Sequence, residues 1–236
     1  MSALSHISLL LTGQVHTYPL SSDAQYTSAI DKQPCLKRIT VTERGFEGDI
    51  QADQRVHGGV DKAIHHYAFD HYAYWQERLD APQAHTVLKA AGAFGENIST
   101  TGITEADVCL CDRIKIGTCI VEVSQSRQPC WKLNHRFATP DMALYVQNTG
   151  KTGWYYRVLQ GGYMEAGDAM TLLERPYPQW NLSKVNEIIS GKLQDKDELQ
   201  AFASLALTPS WKKLIDLRLE SGRLEDMHKR LYGRVE

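Results

Sequence analysis

The sequence predicts a β-rich α+β protein: a β-barrel or sandwich with interspersed helices, followed by a small C-terminal helical appendage. Three observations predict it. Short apolar segments recur up to about Glu174, separated by glycine turns such as Gly117-Thr118, Gly161-Gly162 and Gly167-Asp168. Two segments among them switch to helical spacing. After Pro176-Tyr177-Pro178 the pattern becomes helical and poor in glycine.

The elements follow in order. The apolar run His6-Ile-Ser-Leu-Leu-Leu11 has no basic stretch before it, so Ile7–Leu11 is expected as a strand and not as part of a signal peptide. Leu36–Val41 and Ala63–Phe69 are the next expected strands. Asp70–Leu79 carries Tyr72, Trp75 and Leu79 at helical spacing. Arg113–Ile116 and Ile120–Ser124 are expected strands on either side of the Gly117-Thr118 turn. Thr139-Pro140 reads as an N-cap followed by proline at the first helical position, and Gly150 ends that helix. Trp154–Leu159 and Ala169–Leu173 complete the strands. From Asn181 onward, about three short helices are expected. Thr208-Pro209 starts one of them, with Trp211, Leu214, Ile215 and Arg218 on one face and Gly222 as its stop. That apolar face must be buried, most simply on the barrel. A homodimer contact and docking of a partner protein are the other expected uses.

Composition narrows the function classes. The chain has 236 residues, 42% hydrophobic and 23% charged, as in an ordinary soluble protein with room for a sizeable core. The net charge of −2 carries no basic excess of the kind nucleic acid or an anionic membrane attracts. No apolar stretch approaches the length of a membrane span. The five cysteines, Cys35, Cys109, Cys111, Cys119 and Cys130, are odd in number and form no Cys-x-x-Cys pair. That argues against a disulfide framework and a structural zinc site, and makes a reducing, cytoplasmic compartment the expectation. Cys109 and Cys111 are two apart and are expected on one face of a strand.

The densest chemistry lies in Ser124-Gln-Ser-Arg-Gln-Pro-Cys130-Trp-Lys-Leu-Asn134. Pro129 should break the preceding strand and present Cys130 on a loop between the cations Arg127 and Lys132. Nearby cations favour a thiolate, which can act as a nucleophile, a sulfur carrier or a soft metal ligand. A cysteine filling a gap in the core is the competing reading. Val56-His-Gly-Gly-Val-Asp-Lys62 combines two adjacent glycines with His57 and Lys62. It reads either as an anion-binding nest at Gly58-Gly59 or as a plain turn. Gly45-Phe-Glu-Gly48-Asp49 and Gly95-Glu96-Asn97 are similar mixtures of turn and polar residues. His65 and His66 are adjacent in a strand and point to opposite faces, so one is expected exposed and the other buried. No zinc-protease, phosphate-loop or dinucleotide fingerprint is present.

Taken in order, these motifs resemble the molybdenum cofactor sulfurase C-terminal (MOSC) domain family, in particular its YiiM-like branch. The residues that carry the resemblance are Gly48-Asp49, Val56-His-Gly-Gly59, Asp61-Lys62-Ala63, His66-Tyr67 and Phe94-Gly-Glu-Asn97. They continue through Ser124-Gln125, Arg127, Pro129-Cys130, Lys132-Leu-Asn134 and Gln147-Asn-Thr-Gly-Lys151-x-Gly-Trp154. Together they span about residues 36–174. The resemblance implies a MOSC-type β-barrel over residues 1–178 and a three-helix extension over 179–236.

It further implies a mononuclear molybdenum–molybdopterin cofactor with Cys130 as the protein ligand to the metal. A soft thiolate suits that metal. The cofactor's phosphate is anionic, and His57, Lys62 and Arg127 with the Gly58-Gly59 amides have the chemistry to meet it. Asn97, Lys132 and Asn134, from the same matching motifs, complete the expected cofactor-binding set. The branch is associated with detoxifying reduction of N-hydroxylated compounds, including hydroxylaminopurine base analogues. His57 or Glu96 is then the expected proton source beside Cys130. The chain has no flavin or nicotinamide fingerprint, so electrons are expected from a separate reductase, a flavoprotein. Neither nucleic acid nor membrane is an expected partner. A persulfide-carrying Cys130 and a non-catalytic cofactor-binding module are the alternatives. Arg44 stands where the branch commonly has an apolar residue, which bears on substrate preference only if Arg44 lines the pocket.

Overall fold

Two residues, Ile7 and Ser8, dictate the shape of the main sheet. They join strand β1 (Ala3–His6) to β2 (Leu9–Gly13), and two residues can span only about 7 Å. Yet β1 and β2 lie near opposite ends of one nine-stranded sheet. The sheet must therefore curl until its ends approach. In the computed structural model, which describes residues 3–20, 22–52 and 58–233, it does so as a half-barrel. The amide of Ile7 donates to Asp168 O on one side of the seam and that of Ser8 to Ser99 O on the other, both at 3.0 Å.

After β2 come β3 (His16–Pro19), β4 (Gln25–Ser28), β5 (Lys32–Cys35), β6 (Ile39–Thr42) and β7 (Gly45–Phe46). A 3-10 turn at Val60–Lys62 leads into β8 (Ile64–Ala68), followed by helices α1 (His71–Arg78) and α2 (Pro82–Val87). Strands β9 (Ile98–Thr100), β10 (Arg113–Ile116) and β11 (Cys119–Ser126) precede α3 (Lys132–Arg136) and α4 (Met142–Thr149). The sheet region closes with β12 (Trp154–Gln160), β13 (Gly162–Met164) and β14 (Ala169–Glu174). The main sheet runs β1-β14-β10-β11-β12-β8-β9-β2-β5, and β8–β9 is its parallel pair. Strands β3 and β4 form a separate hairpin, and β13-β6-β7 a small third sheet.

The expected strand Ile7–Leu11 is divided in two, because the chain crosses the seam at Ile7-Ser8. Leu36–Val41 is likewise broken: Leu36 is exposed, and the strands lie on either side of it. Pro34 is tolerated in β5 because β5 is an edge strand. The helix expected from Thr139-Pro140 starts later, at Met142. Thr139 Oγ1 donates to Phe137 O and caps nothing, whereas Asn134 Oδ1 accepts the Ala143 amide at 2.8 Å. Gly150 ends the helix as expected, in the left-handed region at φ 71°. Cys109 and Cys111 are not in a strand. Cys111 has φ 63°, and the two thiols go to different carbonyls, Pro178 O and Ala206 O.

The tail comprises α5 (Leu182–Ser190), α6 (Lys196–Ala203), α7 (Pro209–Ser221) and the single turn α8 (His228–Tyr232). Helices α5–α7 follow the sheet region in the chain, while α8 returns to the barrel. Leu182, Val185, Ile188, Phe202, Trp211 and Ile215 share one continuous core with barrel residues Val108, Leu110 and Ile114. Burying each such large side chain contributes about 1.5–3 kcal/mol, which holds the tail on the sheet.

A second, aromatic core fills the space between α1, α3, α4 and the other side of β8, around Tyr67, Tyr72, Trp75, Phe94 and Phe137. Strand β8 is thus covered on both faces. This is why His65 and His66 are both buried, against the expectation that one is exposed. His66 shares hydrogen bonds with Tyr156 Oη (3.0 Å) and Thr100 Oγ1 (2.8 Å), and burial pushes its pKa down to about 3. In the unfolded chain that imidazole titrates near ~6.5. Between these values the unfolded state binds a proton that the folded state refuses, so this contribution is complete above pH ~6.5 and is lost as pH falls towards 3. His66→Gln is therefore expected to flatten the fall in melting temperature between pH 7 and pH 5, measured by thermal unfolding. An unchanged slope would assign the acid sensitivity elsewhere.

Candidate functional site

Cys130 lies in the loop between β11 and α3, four residues past Ser126, the last residue of the strand. Pro129 is buried and Cys130 half-buried, so the thiol sits at a surface and not in the core. It lines an open cleft of about 620 Å³, counting the space open to solvent. Lys62, Arg127 and Lys132 line the same cleft, as do Asn97 and, from the aromatic core, Phe94. Lys32 adds a fourth cationic side chain, and among the described residues no carboxylate lines the cleft. A chain of net charge −2 has therefore gathered positive charge in one place.

Each cation has a distinct setting. The 3-10 turn holds Lys62, and the neighbouring Asp61 is tied to Arg157 at 2.8 Å. Burial pushes the Lys62 ammonium down from its ordinary value, with Asp61 and the Cys130 sulfur acting the other way. Lys32 is held by both oxygens of Asp49, at 2.8 and 2.7 Å. Its ammonium is also pushed down by burial, opposed by Asp49. Asp49 further accepts from the Gly13 amide and from Asn97 Nδ2, so the Gly48-Asp49 motif braces the cleft. Lys132 donates to Thr27 O on the β3–β4 hairpin at 2.8 Å. Arg127 is also buried, and its Nη1 has no hydrogen-bond partner. An unpaired buried guanidinium nitrogen is costly, and an anion in the cleft would satisfy it.

The remaining expected residues fall into three groups. Asn97 lines the cleft, but its amide is already used: Oδ1 accepts the His65 amide and Nδ2 donates to Leu11 O and Asp49. Glu96 and Asn134 do not line it. Glu96 is fully buried behind the wall, where its carboxylate accepts from the amides of Gly92 (2.7 Å) and Phe94 (3.1 Å) and from the Tyr72 hydroxyl. It pins the loop that carries Phe94, Gly95 and Asn97 to the cleft. Asn134 caps α4 and donates to Leu231 O of the tail. Gly58 and Gly59 do not line the cleft; Gly59, at φ 96°, precedes the turn that carries Lys62. His57 lies outside the described residues. Arg44 is exposed and away from the cleft.

Sequence reasoning missed part of the lining: Ser28–Ile30, Lys32, Ile50–Ala52, His65 and Tyr155. His65 is buried, its Nε2 has no partner, and burial with the nearby Arg127 pushes its pKa well below the ordinary value. It is neutral at pH 7. The adjacent pair His65-His66 was a signal, since two polar residues in succession on a strand covered on both faces cannot both reach water. Gly153 approaches the same place. At φ 70° it brings its backbone so near that a Cβ would lie 2.4 Å from His66 O.

The thiols are also sorted. Burial pushes Cys111 and Cys119 up to about 11, and Cys109 upward, which makes all three poor nucleophiles. Among the described residues, no group of three or more His, Cys, Asp and Glu could hold a metal ion on its own. The donor set is instead one accessible thiol, several cations and an unpaired guanidinium nitrogen. That chemistry fits an anionic group carrying a soft metal.

Comparison with known proteins agrees with this architecture. The MOSC domain model matches residues 53–171, and the chain belongs to that family. The protein YiiM of Escherichia coli (strain K12) is 38% identical over 224 residues, covering 94% of this chain and 96% of that one. The crystal structure of YiiM from Escherichia coli superposes with a TM-score of 0.79 at 31% identity over 97% of this chain and 99% of that one. That of YiiM from Geobacillus stearothermophilus gives 0.74 at 35% identity, over 91% and 98%. A protein of Gibberella moniliformis named a reductase is 37% identical over 199 residues, which are 84% of this chain and 35% of that longer protein. No helix among the described residues is long and apolar enough to cross a membrane.

Proposed function

We propose that this chain is an oxidoreductase that binds the molybdenum cofactor in the Cys130 cleft and reduces N-hydroxylated compounds of the hydroxylaminopurine type. The observation that carries the reading is the pairing of an accessible thiol with the unpaired, buried Nη1 of Arg127 in a cleft lined by cations. Membership of the MOSC family supports it, as does a relative named a reductase.

Reduction of R–NH–OH to R–NH2 breaks the N–O bond, consumes two electrons and two protons and releases water. The cofactor, when bound, supplies the two-electron redox change, which no side chain can supply. Arg127, Lys62 and Lys132 hold its anionic part, and Cys130 Sγ is its thiolate ligand. Lys62 Nζ bears a proton whose affinity burial has weakened, which suits it to give one up. His65 is neutral and offers a hydrogen bond, not a stored proton. Tyr155, half-buried in the cleft wall, offers an aromatic ring to a planar heteroaromatic substrate, whereas Phe94 is buried and stacked on Tyr67. Electrons come from a separate donor protein.

The test is metal analysis of protein made in a host that synthesises the cofactor. Molybdenum near one per chain, and turnover of a hydroxylaminopurine with an artificial electron donor, are expected. Arg127→Ala is expected to lower the metal content at least about tenfold, as losing a supporting group around a bound metal does. Wild-type protein without molybdenum, carrying a persulfide mass on Cys130, would instead mean sulfur transfer.

A further inference from the structure

We propose that Arg230, from the last helical turn of the tail, is a positioning residue of the Cys130 site. It locks the Pro129–Trp131 segment in place and sets a positive charge beside the thiol for the anionic ligand. The proposal rests on the cleft being the anion-binding site argued above.

The geometry is a clamp around one residue. Arg230 Nη1 donates to Pro129 O at 2.7 Å, the carbonyl of the peptide that leads into Cys130. On the far side of the cysteine, the Trp131 amide donates to Arg230 O at 2.8 Å. One tail residue therefore holds both neighbours of Cys130. The second arm of its guanidinium, Nη2, donates to Gln147 Oε1 at 2.6 Å, which ties the clamp to α4. Leu231 O accepts from Asn134 Nδ2 at 2.8 Å, and Gly233 passes so near the Trp131 ring that a Cβ there would lie 3.5 Å from it. This accounts for two motif residues, Gln147 and Asn134, that the cleft itself does not use.

The clamp is anchored from behind. Arg218 of α7 binds Ile188 O and Ile189 O and forks onto Glu225, in the segment that leads to α8. The clamp also places charge. Burial lowers the affinity of the Arg230 guanidinium for its proton, and Glu225 and then the Cys130 sulfur oppose that, as expected of neighbours. A guanidinium keeps its charge through the accessible pH range, so the field at the sulfur is permanent. Lys62, Arg127 and Lys132 line the same cleft as the thiol, and Arg230 adds a cation from the tail side.

The test compares two alkylating reagents on full-length, cofactor-free protein, with Cys130 followed by peptide mass. Iodoacetate is anionic and iodoacetamide is neutral. Both consume the same thiolate, so the ratio of their rates cancels the thiolate fraction and reports the local charge. Arg230→Ala is expected to lower the iodoacetate-to-iodoacetamide ratio at Cys130 at least about threefold, the factor one unit charge gives at close range in a water-like dielectric. Arg230→Lys, which keeps the charge and one donor, is expected to retain the wild-type ratio. The ratio at Cys35 should not move in either variant. An unchanged ratio in Arg230→Ala, or an equal fall in both variants, would overturn the proposal. A wild-type protein that takes up no molybdenum would reject the functional reading alone, because the alkylation ratio is measured without the cofactor.

Discussion

Cys130→Ser is expected to abolish molybdenum-dependent reduction while leaving the protein folded. A hydroxyl is a harder and far less acidic donor than a thiol, so the metal loses its protein ligand. The fall in turnover should be at least about 100-fold, the upper end of what losing a mere supporting group costs. Stability should change little, because Cys130 is half-buried on a loop and fills no cavity. The other cysteines should behave in the opposite way. Cys109, Cys111 and Cys119 are buried, so serine there places a hydroxyl in the core and lowers the melting temperature while activity persists in the folded protein. Activity assays and thermal unfolding on the four variants separate the two patterns. A Cys130→Ser enzyme with wild-type turnover would remove the thiolate from the mechanism.

The second large effect is on stability. Glu96→Ala is expected to destabilise the fold by about 3–5 kcal/mol, because it strands buried donors that a charged acceptor now satisfies. The amides of Gly92 and Phe94 and the Tyr72 hydroxyl all point at that carboxylate. Arg136 supports the same loop from outside, through Ala93 O and Gly92 O, which keeps the variant able to fold at low temperature. Urea unfolding measures the loss. A variant as stable as wild type but inactive would mean that Glu96 carries protons after all.

Much of the barrel is legible in local signals. Arg113–Ile116 is a strand with the bounds its pattern predicts, because the Gly117-Thr118 turn fixes the hairpin to Cys119. The stop at Gly150 and the loop at Pro129-Cys130 are equally local. What local pattern does not carry is pairing at a distance. Nothing near Ile7 says that β1 and β2 belong to opposite ends of a curled sheet, or that β8 is covered on both faces so that both histidines are buried. The cleft shows the same division. Cys130, Lys62, Arg127 and Lys132 stand in dense motifs and are found together. Glu96 and Asn134 stand in motifs just as dense, and their side chains serve the loop and the helix cap instead. A motif marks a place where backbone must be held as readily as one where a ligand is held. Arg230 was invisible for the converse reason: it lies about a hundred residues from Cys130 in an unremarkable helical turn, and only the return of α8 to the barrel brings it there.

The central claim is that the Cys130 thiolate holds the metal of a bound cofactor, and its most direct test is the reactivity of that one thiol with and without the cofactor. Wild-type protein loaded with cofactor and the same protein without it are treated with iodoacetamide, and each cysteine peptide is followed by mass. Cys35, which is half-buried and does not line the cleft, serves as the internal reference. The account predicts that Cys130 is protected in the loaded protein and alkylated in the cofactor-free protein, with Cys35 alike in both. Alkylation of Cys130 at the same rate in both forms would contradict it.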